Sequence, residues 1–296
     1  MRIVITGKEG QVATALKTAA SWTSTEVLAL GRPEIDLEKA TNLTEQLAAL
    51  SPDIVISLAA YTNVDKAETD SDRAFAVNRD AAHALGEATA NLNIPIIHMS
   101  TDYVFDGLKP QPYDESDPTG PISVYGRSKL AGELAVANTN PNHAILRTAW
   151  IYSPYGKNFL KTILRVSREK DELRVVSDQV GCPTSADDIA GAILQIAERL
   201  RSDPSPRLRG IFHVAGAGEC SWAGLATHIV STAEEITGRT TKVNEITSRE
   251  LNLPANRPSN SRLDCSKLLN LYGFRLPDWK RSSRKVVLKL LTGNDR

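Results

Sequence analysis

Met1-Arg2-Ile3-Val4-Ile5-Thr6-Gly7-Lys8-Glu9-Gly10-Gln11-Val12-Ala13 joins a short apolar run to a helical pattern through two glycines. Residues 2–6 read as a buried strand and residues 11–20 as a helix, with Val12, Ala15, Leu16 and Ala19 on one face. Between them Gly7 permits a tight turn, Gly10 lets backbone approach a pyrophosphate, and Ala13 is small enough for the helix to pack on the strand. The helix start offers free N–H groups and a positive dipole end to the same place. The spacing is G-x-x-G-x-x-A rather than the commoner G-x-G-x-x-G. Alone it suits a glycine turn in any doubly wound protein; its place at the first strand–helix junction favours phosphate binding.

Outward from this turn the rhythm repeats. Strands are expected at 27–30, 53–58, 94–99 and 144–147, and helices at 41–50, 71–91 and 125–137. Near-continuous apolar strands alternating with amphipathic helices imply a Rossmann-type α/β fold. Its doubly wound parallel sheet would be covered on both faces, with right-handed crossovers. After residue 150 the pattern loosens. Helices are expected at 159–169, 185–201, 221–237, 266–271 and 280–291, strands at 173–176 and 210–214, and an irregular Pro- and Asn-rich stretch at 252–261.

A chain of 296 residues is long for one compact domain. The expected division is a dinucleotide-binding domain over 1–150 and a smaller, interleaved, mainly substrate-binding lobe over 151–296, some of it returning to the first domain. The 35 basic and 35 acidic residues cancel, and no basic run suggests nucleic acid. No apolar stretch reaches membrane-spanning length, and the first residues lack the pattern of a signal peptide. Cys182, Cys220 and Cys265 lie far apart, with neither disulfide nor metal spacing, so a reduced, cytoplasmic protein without a metal is expected.

The second strand ends Leu28-Ala29-Leu30-Gly31-Arg32. An acid here would hold the ribose 2′-hydroxyl of NAD, whereas Arg32 can fork onto a 2′-phosphate. The expected cofactor is therefore NADPH, with NADH possible; the plainer reading of Arg32 is a solvated loop charge. Asp36 and Leu37 either flank the adenine or open the next helix. At the third strand's end, Ala59 and Ala60, followed by Tyr61, either leave room for a cofactor or pack under a helix. Tyr125-Gly126-Arg127-Ser128-Lys129 puts a phenol and an ammonium one helical turn apart. The lysine charge would lower the tyrosine pKa and suit it to protonate a carbonyl receiving hydride. Thr101, after the fourth strand, lies where ligands gather in parallel sheets; Thr101 and Asp102 also suit a local turn. Trp150 is either a flat sugar platform or a core tryptophan.

Together the turn 6–13, Ala59-Ala60-Tyr61-Thr62-Asn63-Val64-Asp65, Ser100-Thr101-Asp102-Tyr103-Val104-Phe105-Asp106-Gly107 and Val124-Tyr125-Gly126-Arg127-Ser128-Lys129-Leu130 resemble the extended short-chain dehydrogenases. The second half narrows the resemblance to the dTDP-4-dehydrorhamnose reductase family. It carries Arg147-Thr148-Ala149-Trp150-Ile151-Tyr152, Ser177-Asp178-Gln179-Val180-Gly181-Cys182-Pro183-Thr184 and Arg257-Pro258-Ser259-Asn260-Ser261-Arg262-Leu263 in the family's order. The resemblance covers essentially the whole chain. It implies Gly10, Gln11 and Val12 along the dinucleotide and a catalytic set of Thr101, Tyr125 and Lys129, with Lys129 also on the nicotinamide ribose. Thr101, Asp102 and Trp150 would touch the sugar of a dTDP-linked substrate, and Gln179 and Arg257 its nucleotide; Arg257 alternatively ties down the irregular stretch. Rival readings are another nucleotide-deoxysugar 4-ketoreductase and a non-catalytic NADP-binding regulatory subunit, for which the C-terminal helix is the candidate docking face. Some members of the family pair through acid-bound magnesium, with an acid early in the first helix. Val12-Ala13-Thr14-Ala15-Leu16 has none, so a monomer or weak homodimer is expected.

Overall fold

Strands that are apolar at every position need cover on both faces, and Ile3, Val4 and Ile5 have it, all three wholly buried. The computed structural model describes residues 1–39 and 42–293. Its first half runs β1 (Arg2–Thr6), α1 (Gln11–Ala20), β2 (Glu26–Leu30), α2 (Leu43–Leu50), β3 (Ile54–Ser57), α3 (Val64–Ala67), α4 (Ser71–Phe75), α5 (Ala81–Asn91), β4 (Ile96–Thr101), α6 (Val124–Thr139) and β5 (His143–Thr148). The second half adds β6 (Ile151–Tyr152), α7 (Phe159–Ser167), β7 (Glu172–Val176), β8 (Val180–Gly181), β9 (Thr184–Ser185), α8 (Ala186–Ser202), β10 (Gly210–His213), β11 (Cys220–Ser221), α9 (Trp222–Thr237), β12 (Lys242–Ile246), α10 (Ser248–Leu251), β13 (Asn260–Ser261), α11 (Ser266–Tyr272) and α12 (Trp279–Thr292).

Six parallel strands form the central sheet in the order β10-β5-β4-β3-β1-β2. Ile3, Ile5, Ile54 and Ile56 point to one face, where Leu16 of α1 and Ile189 and Ile193 of α8 cover them. Val4 and Val55 point to the other, against Leu47 of α2 and Leu85 of α5. Truncating a wholly buried side chain such as Leu16 to alanine costs about 2–5 kcal/mol. The chain leaves β1 to one side for β2 and returns to the other for β3, so the sheet's crevice opens at the carboxyl ends of β1 and β3. A second apolar cluster joins α7, β7, α9 and α12 through Leu160, Leu173, Ile229 and Val287. The apolar positions of α12 are thereby covered: Val286 and Val287 are buried, and Leu290 and Leu291 pack on the same cluster.

Element by element, β4 runs on to Thr101 rather than stopping at Met99, which brings Ser100 and Thr101 into the sheet. The helix expected over 71–91 is interrupted by a π-helical turn, Ala76–Asp80, between α4 and α5. Such turns are frequent at functional sites, and this one carries the buried Asn78. The helix expected from Thr41 starts at Leu43; Thr41 itself lies outside the described residues.

Candidate active site

The crevice beside β1 and β3 is a cavity of about 800 Å³. Gly7, with φ +90°, makes the turn out of β1 and donates its N–H to the Leu30 carbonyl at 2.8 Å. A Cβ on Gly7 would stand 3.2 Å from the Ala59 backbone. Gly10 is different: a Cβ there would meet only the Gly7 carbonyl oxygen, at 3.8 Å. The protein's own packing does not demand that glycine, but close backbone approach by a ligand would. Gly10 caps α1 with no side-chain hydrogen bond, leaving the helix's first N–H groups directed at the cavity that Gly10, Gln11 and Val12 line. The Gln11 side chain also reaches across to the second half, accepting from Ser153 Oγ at 2.7 Å and Asn158 Nδ2 at 2.8 Å. Leu37, Ala59, Ala60 and Tyr61 complete the wall. Arg32 lines it too, but not as a lone solvated charge: it pairs with Asp36 at 3.2 Å and with Glu38 at 2.5 Å.

Ser123 caps α6 by accepting from the Gly126 N–H, and the helix then presents Tyr125, Lys129 and Glu133 at successive turns. Two glycines set how closely it seats. A Cβ on Gly126 would fall 2.2 Å from the Tyr103 carbonyl oxygen, and one on Gly132 2.1 Å from that of Asn78. Asn78 in turn donates to Ser128 Oγ at 2.9 Å and the Tyr61 carbonyl at 3.1 Å, and accepts from the Tyr61 N–H at 2.8 Å. It thus latches the cavity wall to the helix that carries Tyr125. Thr101 ends β4 near the Tyr125 phenol and donates to Asp102 Oδ1 at 2.9 Å, so the two hydroxyls lie close together at the sheet's carboxyl edge.

Lys129 is fully buried. Its ammonium donates to the Met99 carbonyl at 2.6 Å and lies 3.4 Å from His98 Nε2. Burial brings its pKa down to about 8, with the Glu133 charge acting the other way. Glu133 accepts from Ser100 Oγ and forms a forked pair with Arg147 at 2.7 and 2.9 Å, both partners buried. The lysine was expected to lower the tyrosine pKa, and this needs correction. Burial pushes the Tyr125 phenol up to about 12, the Thr101 hydrogen bond opposing and the Asp102 charge adding to it. The ammonium is held by Met99, and desolvation governs the phenol. Asp102 is also raised, to about 6, by burial against the hydrogen bonds from Ser261 and Thr101. Its Oδ2 is buried with no hydrogen-bond partner.

Just past β5, Trp150, at φ +49°, stacks on Trp222 with ring centroids 3.6 Å apart. Gly181 lies so near the indole that a Cβ there would fall 2.5 Å from Trp150 Cε2. Trp150 is therefore covered by protein over one face rather than presenting an open platform on both. Trp222 donates its indole N–H to Gln179 at 3.1 Å, and the Gln179 amide donates to Ser248 at 2.8 Å, so both ends of Gln179 have protein partners. Arg257 forks onto Asp65 of α3 at 2.7 and 3.1 Å, tying the irregular stretch to the first half. Among the described residues, no group of three or more His, Cys, Asp or Glu is arranged to hold a metal, and no helix is long and apolar enough to cross a membrane.

The family profile described as RmlD substrate binding domain matches residues 1–292. A dTDP-4-dehydrorhamnose reductase from Sinorhizobium fredii is 57% identical over 291 residues, covering 98% of each chain. This chain belongs to the dTDP-4-dehydrorhamnose reductase family. The crystal structure of a family member from Clostridium acetobutylicum superposes with a TM-score of 0.90 at 35% identity, over 97% of this chain and 98% of that one. One from Bacillus anthracis, in complex with NADP, has a TM-score of 0.90 at 32% identity over 97% and 99%.

As a member of the dTDP-4-dehydrorhamnose reductase family the chain is an oxidoreductase, which displaces the regulatory-subunit reading. The sequence reading left five residues of this site without a role: Glu38, Arg73, Asn78, Glu133 and Trp222. Glu133 had a signal, since it continues the Tyr125–Lys129 spacing by one more turn. Arg73, Asn78 and Trp222 meet their partners only through contacts between elements distant in sequence, and Glu38 meets Arg73 in the same way.

Proposed function

We propose that this protein reduces the C4 ketone of dTDP-4-dehydro-6-deoxy-L-mannose (dTDP-4-dehydro-L-rhamnose), with NADPH, to dTDP-L-rhamnose. The observation that carries the reading is the placing of Tyr125 and the buried Lys129 on one helix near Thr101, a helix that Asn78 ties to Tyr61 in the wall of a cavity of about 800 Å³. The cavity fits that group: Gly10 leaves its floor open, and a helix N-terminus supplies N–H groups for a diphosphate. NADPH, when bound, supplies the hydride that adds to C4 of the sugar. Gly7, Gly10, Gln11 and Val12 border its diphosphate, Ala59, Ala60 and Tyr61 its middle, and Arg32, Asp36 and Leu37 its adenosine end.

The chain's own groups handle the proton. Tyr125 donates its O–H proton to the C4 oxygen as that oxygen becomes anionic. An alkoxide is a much stronger base than a phenolate, so a phenol raised to about 12 still gives up its proton and stays protonated until then. Thr101 hydrogen-bonds the same oxygen, and the Tyr125 phenolate regains a proton from solvent. Lys129, one helical turn from Tyr125, holds the nicotinamide ribose. Asp102 and Trp150 bound the sugar, with Gln179 and Arg257 in the wall towards its nucleotide. In this reading residues 1–150 hold the dinucleotide and most of 151–293 the sugar nucleotide.

The test is NADPH consumption by the purified protein supplied with the dTDP-4-keto sugar, with the product identified by NMR. Stoichiometric formation of the L-rhamno product supports the reading. Turnover to a different C4 epimer would assign the protein to another deoxysugar 4-ketoreduction, and no turnover with a verified substrate would remove the proposal.

A further inference from the structure

Where β2 ends, the cavity wall carries four charged side chains: Arg32, Asp36, Glu38 and Arg73. Arg73 comes from α4 and places Nε 3.0 Å and Nη2 2.8 Å from Glu38 Oε1. Arg32 Nη2 lies 2.5 Å from that same oxygen, while its Nε is 3.2 Å from Asp36 Oδ1. Three N–H groups from two arginines therefore converge on one carboxylate oxygen. Glu38 is the best shielded of the three, its side chain 28% exposed against 58% for Arg32 and 45% for Arg73. Its own N–H donates to Asp36 Oδ1 at 3.1 Å, which fixes the tight turn it stands on.

We infer that Glu38 and Arg73 set which dinucleotide this site takes, a 2′-phosphorylated one or one with a free ribose 2′-hydroxyl. The inference rests on the reading of the cavity as a dinucleotide site. A carboxylate at the end of the second strand accepts hydrogen bonds from a ribose diol. Two guanidinium groups facing one another grip a phosphate by charge-assisted, forked bonds. Both devices stand here on the same few atoms, and they oppose each other through Glu38. A 2′-phosphate takes the place of the carboxylate between the arginines and is repelled by it. A 2′-hydroxyl needs the carboxylate where it is. Arg32 alone, already bound to Asp36, is half of the phosphate grip, and Arg73 is the other half.

The signs of two substitutions follow. Glu38→Gln keeps the side chain's size and removes the competing charge, so it favours the phosphorylated dinucleotide. Arg73→Ala removes one arm of the grip and releases Glu38 to a diol. Calorimetric titration of NADPH, NADH, 2′,5′-ADP and ADP into the wild-type protein and both variants reads this without turnover. For Glu38→Gln the NADPH-to-NADH affinity ratio should rise about 10-fold, the scale of one charge-assisted hydrogen bond, with 2′,5′-ADP following NADPH. For Arg73→Ala, NADPH and 2′,5′-ADP should weaken about 10-fold while NADH and ADP hold. Parallel changes in all four ligands, or no change in any, would overturn the inference and leave the dinucleotide site standing. A wild-type protein that binds neither dinucleotide would remove the reading beneath it as well.

Discussion

Trp150 lies flat on Trp222, ring planes 7° apart, and the indole N–H of Trp222 is anchored by Gln179. The pair behaves as one surface. An aromatic pair contributes about 0.5–1.5 kcal/mol beyond its buried area. Trp150→Ala and Trp222→Ala should each raise KM for the keto sugar by about 3–10-fold and leave the NADPH Kd unchanged. The double variant should lose little more than either single one. Fully additive losses in a double-mutant cycle would show that the rings act separately.

Tyr125→Phe keeps the ring and its edge-on contact with Tyr103 but removes the proton. Turnover should fall about 10²–10⁴-fold, with folding and NADPH binding intact. Lys129→Met should lose both turnover and cofactor affinity. Near-normal turnover by the phenylalanine variant rules out Tyr125 as the acid.

A pKa of about 8 makes Lys129 the group whose charge disappears first on the alkaline side. The ammonium is present below that value, so kcat/KM should decline as pH rises through it. Stability moves the other way. The folded lysine binds fewer protons than the unfolded one from about pH 8 up to its ordinary value of about 10.4, so this residue makes the fold more stable as pH rises across that window. Asp102, raised to about 6, binds more protons folded than unfolded. Its contribution is fully present below about 3.9 and is lost as pH rises through 6. Urea unfolding of wild type and Asp102→Asn at pH 4 and 7 checks the second sign: only the wild type should lose stability on this account.

The strand–helix alternation was legible because a strand buried on both faces must be apolar throughout, and each such run is bounded by a turn. The glycine turn after β1 and the Tyr125–Lys129 spacing on one helix were legible for a related reason: each is a local pattern whose geometry is set by one element or one junction. Asn78 was not, because a π-helical turn shifts hydrogen bonds by one residue without altering the pattern of side chains around it. Arg73 meets Glu38, and Trp222 meets Trp150, only after the chain has folded. The direction of the Tyr125 shift was missed because spacing shows a neighbouring charge and says nothing of desolvation, which outweighs it.

Glu133 and Arg147 form a buried pair, and Glu133 also accepts from Ser100 near the carboxyl end of β4. Removing one partner of such a pair costs about 3–5 kcal/mol because the other is left charged and buried. Glu133→Gln should show that loss in urea unfolding, and Glu133→Leu with Arg147→Met should regain most of it. If the single variant loses no more than about 1 kcal/mol, the pair is not a structural keystone.

Ketone reduction with a tyrosine acid has no step that requires a Lewis acid. Turnover should survive exhaustive chelation; activity that vanishes with chelator and returns with magnesium would overturn this.

The second half of the chain does not stay on its own side. After β9 it crosses back so that α8 covers α1 and β10 pairs with β5, and only then does it return to build α9. A fragment ending at residue 150 would therefore present β5 as a bare sheet edge and leave in water the part of α1 that α8 covers, both invitations to aggregation. The second half cannot be exchanged between relatives as a cassette by a single splice. A chimera that keeps the sheet whole needs at least three junctions, one after residue 150 and one on each side of 186–213.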